Sequence, residues 1–199
     1  MFESIVDAVG SSSWTYVIVF VIAALDAFFP VVPSEATAIA AGVVAGAGDL
    51  RLELLIPAAA LGAFVGDNIS FGLGHFLGDR VVNRFFKGEK AQKRLAWAQR
   101  TLEARGGYLI VVARFIPGGR TVTTFTAGFV ETFPWRRFLF YDAIACAIWG
   151  TYTVMLGYLG GATFKEEPWK GLLLAFGIAI AVTAVVEVVR HLRARQARA

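Results

Sequence analysis

Apolar residues fill long runs of this chain, and polar residues interrupt each run where a simple membrane span would not carry them. The first run, Trp14 to Gly48, has 35 residues. One crossing takes about 20 residues, so the run is too long for one span and short for two with a loop. Its middle, Asp26-Ala-Phe-Phe-Pro30-Val-Val-Pro33-Ser34-Glu35, holds two prolines and two carboxylates. Proline removes a backbone donor and stops a helix. The pattern therefore predicts two half-helices meeting at a turn, a re-entrant hairpin over 14–48. Ser34 is placed to cap the second half, and Glu35 falls in its first turn, where the helix dipole favours a negative charge.

Leu54 to Gly78 is long enough to span, and its glycines at 62, 66, 72, 74 and 78 suit close helix packing. Asp67 and Asn68 interrupt it; they either line a cavity or cap packed helices, and both readings stay open. His75, near the helix end with no second histidine close by, reads as a packed or interfacial residue, so no metal site is expected. Residues 80–105 turn polar and basic, yet Leu95, Ala98 and Leu102 keep helical spacing. With Lys87, Lys90, Lys93, Arg94 and Arg100 around them and Trp97 as anchor, they predict an amphipathic helix on an anionic leaflet.

The run 107–130 repeats the oddity of the first. Its centre is Arg114-Phe-Ile-Pro117-Gly118-Gly119-Arg120, a second break and a second hairpin candidate. An arginine at the bilayer centre costs about 2.5–3.5 kcal/mol on insertion scales, so two of them need acids, water or an anionic ligand. A full span follows over 138–162, containing Asp142 and Trp149, and a last one over 171–189. Asp142 lies close in sequence to Arg136-Arg137 and is expected at the interface.

Composition agrees: 57% of the 199 residues are hydrophobic and the mean hydropathy is +0.62, too apolar for an ordinary soluble domain. With one cysteine, Cys146, neither an intrachain disulfide nor a cysteine metal cluster can form. No nucleic-acid partner and no cofactor is expected. The N-terminus lacks a basic segment before Arg51 and is read as part of the mature protein.

Charge position sets an expected topology. Segments 80–105, 136–137 and 190–198 hold 8, 2 and 4 of the 19 Lys and Arg, which puts them, and the C-terminus, on the cytoplasmic side. For all three to share a side, 107–130 must enter and leave by the cytoplasmic face, and 14–48 by the opposite one. An internal similarity fits this: Ser70 to Gly78 lies on Thr153 to Gly161 without a gap, and Thr37 to Gly42 echoes Thr123 to Gly128. The fold class read from the chain is an all-α polytopic membrane protein. It comprises two inverted repeats, each a re-entrant helical hairpin plus a transmembrane helix, and an extra C-terminal transmembrane helix.

Facing hairpins would set Asp26 and Glu35 opposite Arg114 and Arg120. This is either a structural ion-pair cluster or a site in which the planar arginine forks take a lipid phosphate and the released carboxylates take up protons. Pro30, Pro33, Pro117, Gly118 and Gly119 shape the breaks.

These residues resemble a family. Phe-Pro-Val-Val-Pro-Ser-Glu35, Gly66-Asp67 with Phe71-Gly-Leu-Gly74 and Gly78, and Arg114-Phe-Ile-Pro-Gly-Gly-Arg120 followed by Ala127-Gly128 are similar to the DedA family of bacterial membrane proteins, over about residues 14–163. The resemblance implies facing re-entrant hairpins in the cytoplasmic membrane and translocation of polyprenyl phosphate or another phospholipid, coupled to protons or other ions. Related eukaryotic VTT-domain proteins act as lipid scramblases. The family's functional acids match Asp26 and Glu35, and its arginines match Arg114 and Arg120. Two positions depart: Asp26, where members often have Glu, and His75, where Arg often follows the glycine. The expected function is flipping of undecaprenyl phosphate or a related lipid phosphate, without catalysis. The alternatives are an intramembrane lipid pyrophosphate phosphatase, with Ser34 or Glu35 as its visible nucleophile, and a non-transporting assembly factor. Self-association into a homo-oligomer is left open.

Overall fold

A computed structural model of the chain describes residues 13–29, 33–85, 100–104, 106–116, 119–130 and 133–163, with Glu89, Ala96 and Gly177 as isolated positions. Six helices are delineated among the described residues. They are α1 (Trp14–Leu25), α2 (Ser34–Ala47), α3 (Leu52–Phe85), α4 (Tyr108–Ala113), α5 (Gly119–Phe129) and α6 (Trp135–Thr163). The expected span at 171–189 and most of the basic segment 80–105, including Leu95 and Trp97, lie outside the described residues.

Length separates these helices into two kinds. The apolar part of α3, Leu52–Leu77, and the whole of α6 are long enough to cross a membrane; at 1.5 Å per residue, 26 residues reach about 39 Å against a hydrocarbon thickness of about 30 Å. The 12 and 14 residues of α1 and α2 are each too short. The break between them begins in a turn at 26–29, where the amides of Phe28 and Phe29 both reach back to the Leu25 carbonyl. Ser34 is the first residue of α2, and Pro33 takes the capping position with no side-chain cap. The serine therefore does not cap, because its hydroxyl is used elsewhere, as described below. Glu35 does sit in the first turn of α2. At the other end, α3 continues past Gly78 to Phe85: a glycine inside a helix costs about 1 kcal/mol and does not end it. Pro134 precedes α6 and leaves no unused donor there.

The outer faces of the two long helices are as apolar as the core. Leu54, Leu61, Val65, Ile69, Leu73 and Phe76 form an exposed stripe down α3, and Phe140, Ile144, Ile148, Tyr152 and Leu159 do the same on α6. The opposite faces mix small and polar residues with large apolar ones: Leu55, Ala59, Ala63, Asp67, Ser70 and Phe71 on α3, Phe138, Asp142, Cys146, Trp149 and Thr153 on α6. Such continuous apolar stripes are stable only against lipid or another apolar surface.

α3 and α6 cross in opposite directions, with Asn68 bonded to Asp142, Cys146 to Asp67, and Ala60 against Gly150. The short helices pack on the span of the other half: α2 lies chiefly on α6, and α5 on α3. Glycine makes both contacts. A Cβ on Gly42 would fall on the Val154 carbonyl oxygen, and one on Gly157 on that of Ile39. In the same way Gly128 meets the Phe71 carbonyl, and Gly74 that of Phe125. These are corresponding positions. Moving 86 residues along the chain takes Ile39 and Gly42 to Phe125 and Gly128, and moving 83 takes Phe71 and Gly74 to Val154 and Gly157. Both offsets are those at which the sequence segments matched.

Substituting leucine for Gly128 or Gly157 must push backbone against backbone, and each change is expected to cost about 2 kcal/mol or more. At Gly72 a methyl group would find no atom within 4 Å, so Gly72→Ala should be neutral or stabilising by up to about 1 kcal/mol. Thermal unfolding of detergent-solubilised protein checks all three; equal effects at Gly72 and Gly157 would sink the close-crossing account.

Candidate functional site

Asp67 sits near the middle of the apolar stretch of α3, about 4 Å along the axis from its midpoint. Two glycines on the same helix let neighbouring backbone come close: Gly62 meets the Phe20 carbonyl, and Gly66 that of Ala24. That approach brings the end of α1, with Asp26, level with Asp67. On another side, α5 runs alongside α3, where Thr124 donates to the Ser70 hydroxyl at 3.3 Å and Arg120, one turn earlier, faces Asp67. Asp142 and Cys146 reach the same place from α6. Arg114 comes from the residue that ends α4.

The result is one ion-pair network. Asp67 is fully buried and uses both oxygens: Arg120 Nε donates to Oδ1 at 2.7 Å, and Arg114 Nη1 donates to Oδ2 at 2.5 Å. Arg120 also donates from Nη1 to Asp26 Oδ2 at 2.9 Å, and from Nη2 to the carbonyls of Ala23 and Ala63 at 3.4 and 3.3 Å. Ser34 Oγ donates to that same Asp26 oxygen at 2.6 Å. Asp142, fully buried, lies 3.6 Å from Arg114 Nη1 and accepts Asn68 Nδ2 at 3.4 Å. Cys146 Sγ bridges Asp142 and Asp67 at 3.6 and 3.8 Å. Trp135 Nε1, at the exposed start of α6, donates to Asn68 Oδ1 at 3.1 Å.

Of the residues read from sequence, Arg114, Arg120 and Asp26 come together, and Asp67 and Asn68 join them. Glu35 makes no hydrogen bond or ion pair among the described residues, but it stands next to Ser34 within electrostatic reach of Asp26, Arg120 and Arg114. Asp142 is a correction to the interfacial expectation. Two helical turns inside α6 from Arg136, it points into the core instead of along the surface. One signal could have found it, since Asp142, Cys146 and Trp149 share a face at i, i+4 and i+7 on a helix whose other faces are apolar. Pro33 and Gly119 flank the two breaks, whereas Pro30, Pro117 and Gly118 lie outside the described residues. His75 is exposed, with its ring edge-on to Phe76.

Asp67, Asp142 and Cys146 bring oxygen and sulfur atoms within 4.8 Å of one another. The positive charge they face is already supplied by the guanidinium groups. Three carboxylates thus meet two arginines: Asp67 has two short pairs, Asp26 one plus a hydroxyl, and Asp142 only a long one.

The VTT domain matches residues 32–159, most of the chain and all of the helices that build this network except α1. The chain belongs to the VTT-domain (DedA) family. Among relatives, it is 26% identical to the protein DedA of Escherichia coli (strain K12), over 91% of this chain and 85% of that one. It is 30% identical to an uncharacterized membrane protein of Mycobacterium leprae (strain TN), over 80% and 71%. To the inner membrane protein YohD of Escherichia coli (strain K12) it is 26% identical, over 68% and 67%. No solved structure matches it significantly. As a member of the VTT-domain family with two helices of spanning length, the chain is a membrane protein.

The unequal pairing predicts unequal mutants. Asp67→Asn leaves two buried guanidinium groups without their shared partner and should cost about 3–5 kcal/mol. Asp142→Asn keeps a side chain that can hold Asn68 and removes the surplus charge, so it should change stability by no more than about 1 kcal/mol. Comparable losses in the two unfolding midpoints would refute the assignment of Asp67 as the shared counter-ion.

Proposed function

We propose that the protein carries undecaprenyl phosphate or a related lipid phosphate across the cytoplasmic membrane, with the arginine–carboxylate network as its mid-membrane station. The observation that carries this reading is the pair of buried arginines on either side of the break between α4 and α5, set inside an otherwise apolar bundle. Charged groups at this depth are costly and mark pathways by default, and the arginine fork matches the oxygens of a phosphate where a lysine would not. In this reading the two halves are inverted repeats, and 14–48 and 107–130 are re-entrant hairpins. The antiparallel crossing of α3 and α6 and the corresponding glycine–carbonyl contacts support that architecture. The basic segments and the C-terminus lie on the cytoplasmic side, as the Lys and Arg distribution favours.

Protons are the coupling ion in this scheme. A phosphate reaching the arginines adds negative charge beside the carboxylates, and in a dry site a carboxylate facing that charge is neutralised by a proton. Asp26, paired to Arg120 yet partly exposed, is the acid best placed to exchange one.

Purified protein in vesicles containing undecaprenyl phosphate, with a phosphatase added outside, tests the transport. Wild-type vesicles are expected to lose the inner-leaflet pool as well as the outer one, faster with an imposed pH gradient, and Asp26→Asn should slow this about tenfold or more. Hydrolysis that stops at the outer-leaflet pool with wild-type protein present would overturn the proposal. Release of inorganic phosphate from farnesyl pyrophosphate with no added phosphatase would favour catalysis instead. The 2.6 Å bond from Ser34 to Asp26 is the observation that keeps this second reading in view.

A further inference from the structure

The two arginines are not used alike. Arg120 spends every guanidinium nitrogen on protein: Nε on Asp67, Nη1 on Asp26, and Nη2 on the carbonyls of Ala23 and Ala63. Those partners lie on α3 and at the end of α1, so Arg120 ties three segments together. Arg114 directs only Nη1 at acids, to Asp67 and, at 3.6 Å, to Asp142. Its Nε and Nη2 are buried and have no hydrogen-bond partner among the described residues, and its side chain is only 3% exposed.

Which nitrogens are left over matters. Nε and Nη2 form the side-on edge of a guanidinium, where two N–H bonds point in parallel and can hold two oxygens of one carboxylate or phosphate. The Nη1 end, where the acids sit, is on the other side of the group. Trp149 lies against the plane, its ring centre 5.3 Å from Cζ, and so fixes the plane in which the free edge points. A buried cation with two unused, parallel donors is a rare arrangement, since buried polar groups are nearly always satisfied.

We propose that the phosphate group of the ligand is bound on the Nε/Nη2 edge of Arg114, with Arg120 serving as a clamp that holds α1 and α3 around it. This rests on the lipid-phosphate reading and assigns its chemistry to one of the two arginines. A phosphate monoester offers the oxygens the edge needs without displacing Asp67, so the network stays intact while the ligand is held. Arg114 is the C-terminal cap of the six-residue α4, so no further helical turn follows it. Arg120 lies inside the first turn of α5, bonded on every side.

Full-length protein in nanodiscs, titrated with farnesyl phosphate, inorganic phosphate and farnesol and followed by calorimetry, tests this. Farnesyl phosphate is expected to bind, inorganic phosphate to compete with it weakly, and farnesol not to compete for the arginine. Arg114→Lys keeps the charge toward Asp67 but loses the edge, so farnesyl phosphate affinity should fall about tenfold or more with a small change in unfolding midpoint. Arg120→Lys should show the opposite split: a clear fall in midpoint, and affinity within about threefold of wild type at temperatures where it stays folded. Equal affinity losses in the two folded variants, or unchanged affinity in Arg114→Lys, overturn the assignment while leaving the phosphate reading standing. No binding of either phosphate to the wild type overturns both. A readout on wild-type protein covers a variant that fails to fold. In isotope-labelled arginine, the Nε–H resonance of Arg114 should shift on adding farnesyl phosphate while that of Arg120, held by Asp67, stays in place; the reverse pattern counts against the proposal.

Discussion

A single fully buried carboxylate, Asp67, is shared by two buried arginines, with Asp26 and Asp142 supplying the remaining negative charge. Its geometry is demanding, because each oxygen serves a different guanidinium, arriving from a different segment of the chain. Both breaks and α3 must therefore be in place before the charges balance. The fold supplies this by glycine: Gly62 and Gly66 admit α1, and Gly74 and Gly128 seat α5, so that Asp26 and Arg120 arrive at the level of Asp67. Packing and electrostatics are thus one constraint. A side chain added at a crossing would separate the charges, and an unbalanced charge would favour separating the helices.

Much of this was legible from residue order. The cost of arginine in lipid made Arg114 and Arg120 conspicuous, and the prolines marked where helices had to stop. The repeat offsets found by aligning short segments are those that the glycine–carbonyl contacts obey. What escaped was direction. Ser34 reads as a cap for α2, yet it is the first residue of the helix and its hydroxyl goes to Asp26, a contact across the break that residue order does not reveal. Asp142 was assigned by its distance along the chain from Arg136 and Arg137. A helix converts that separation into depth and rotation, and here the rotation turns the acid inward to Asn68 and Arg114. Asp67 itself gave no sign of its rank, because an acid in mid-span looks the same whether it lines a cavity or joins two cations.

The polar network is continuous and has two ends. One is Trp135, exposed at the start of α6 and bonded to Asn68. The other is Ser34 at the start of α2, next to exposed Glu35. Between them run Asp142, Arg114, Asp67, Arg120 and Asp26, each within bonding or ion-pair reach of the next, with Cys146 bridging Asp142 and Asp67 alongside. A purely structural cluster could stop at matched pairs. This one extends to two helix starts, and every link is a side chain able to donate or accept.

Charge counting then links ligand and proton on the lipid-phosphate reading. With Asp26, Asp67 and Asp142 against Arg114 and Arg120, the network already carries one more acid than base. An arriving phosphate adds at least one further negative charge to a place where water does not screen it. At an effective dielectric of about 20, a unit charge brought to about 4 Å from a like charge costs about 4 kcal/mol, against about 1 kcal/mol in bulk water. Binding is favourable only if the surplus is removed as the ligand arrives, and the smallest thing that removes it is a proton. Anion occupancy and protonation of the network are then linked quantities, each raising the other's affinity by the same factor. A pH difference across the membrane therefore biases which side loads the lipid, with no moving part beyond the network itself.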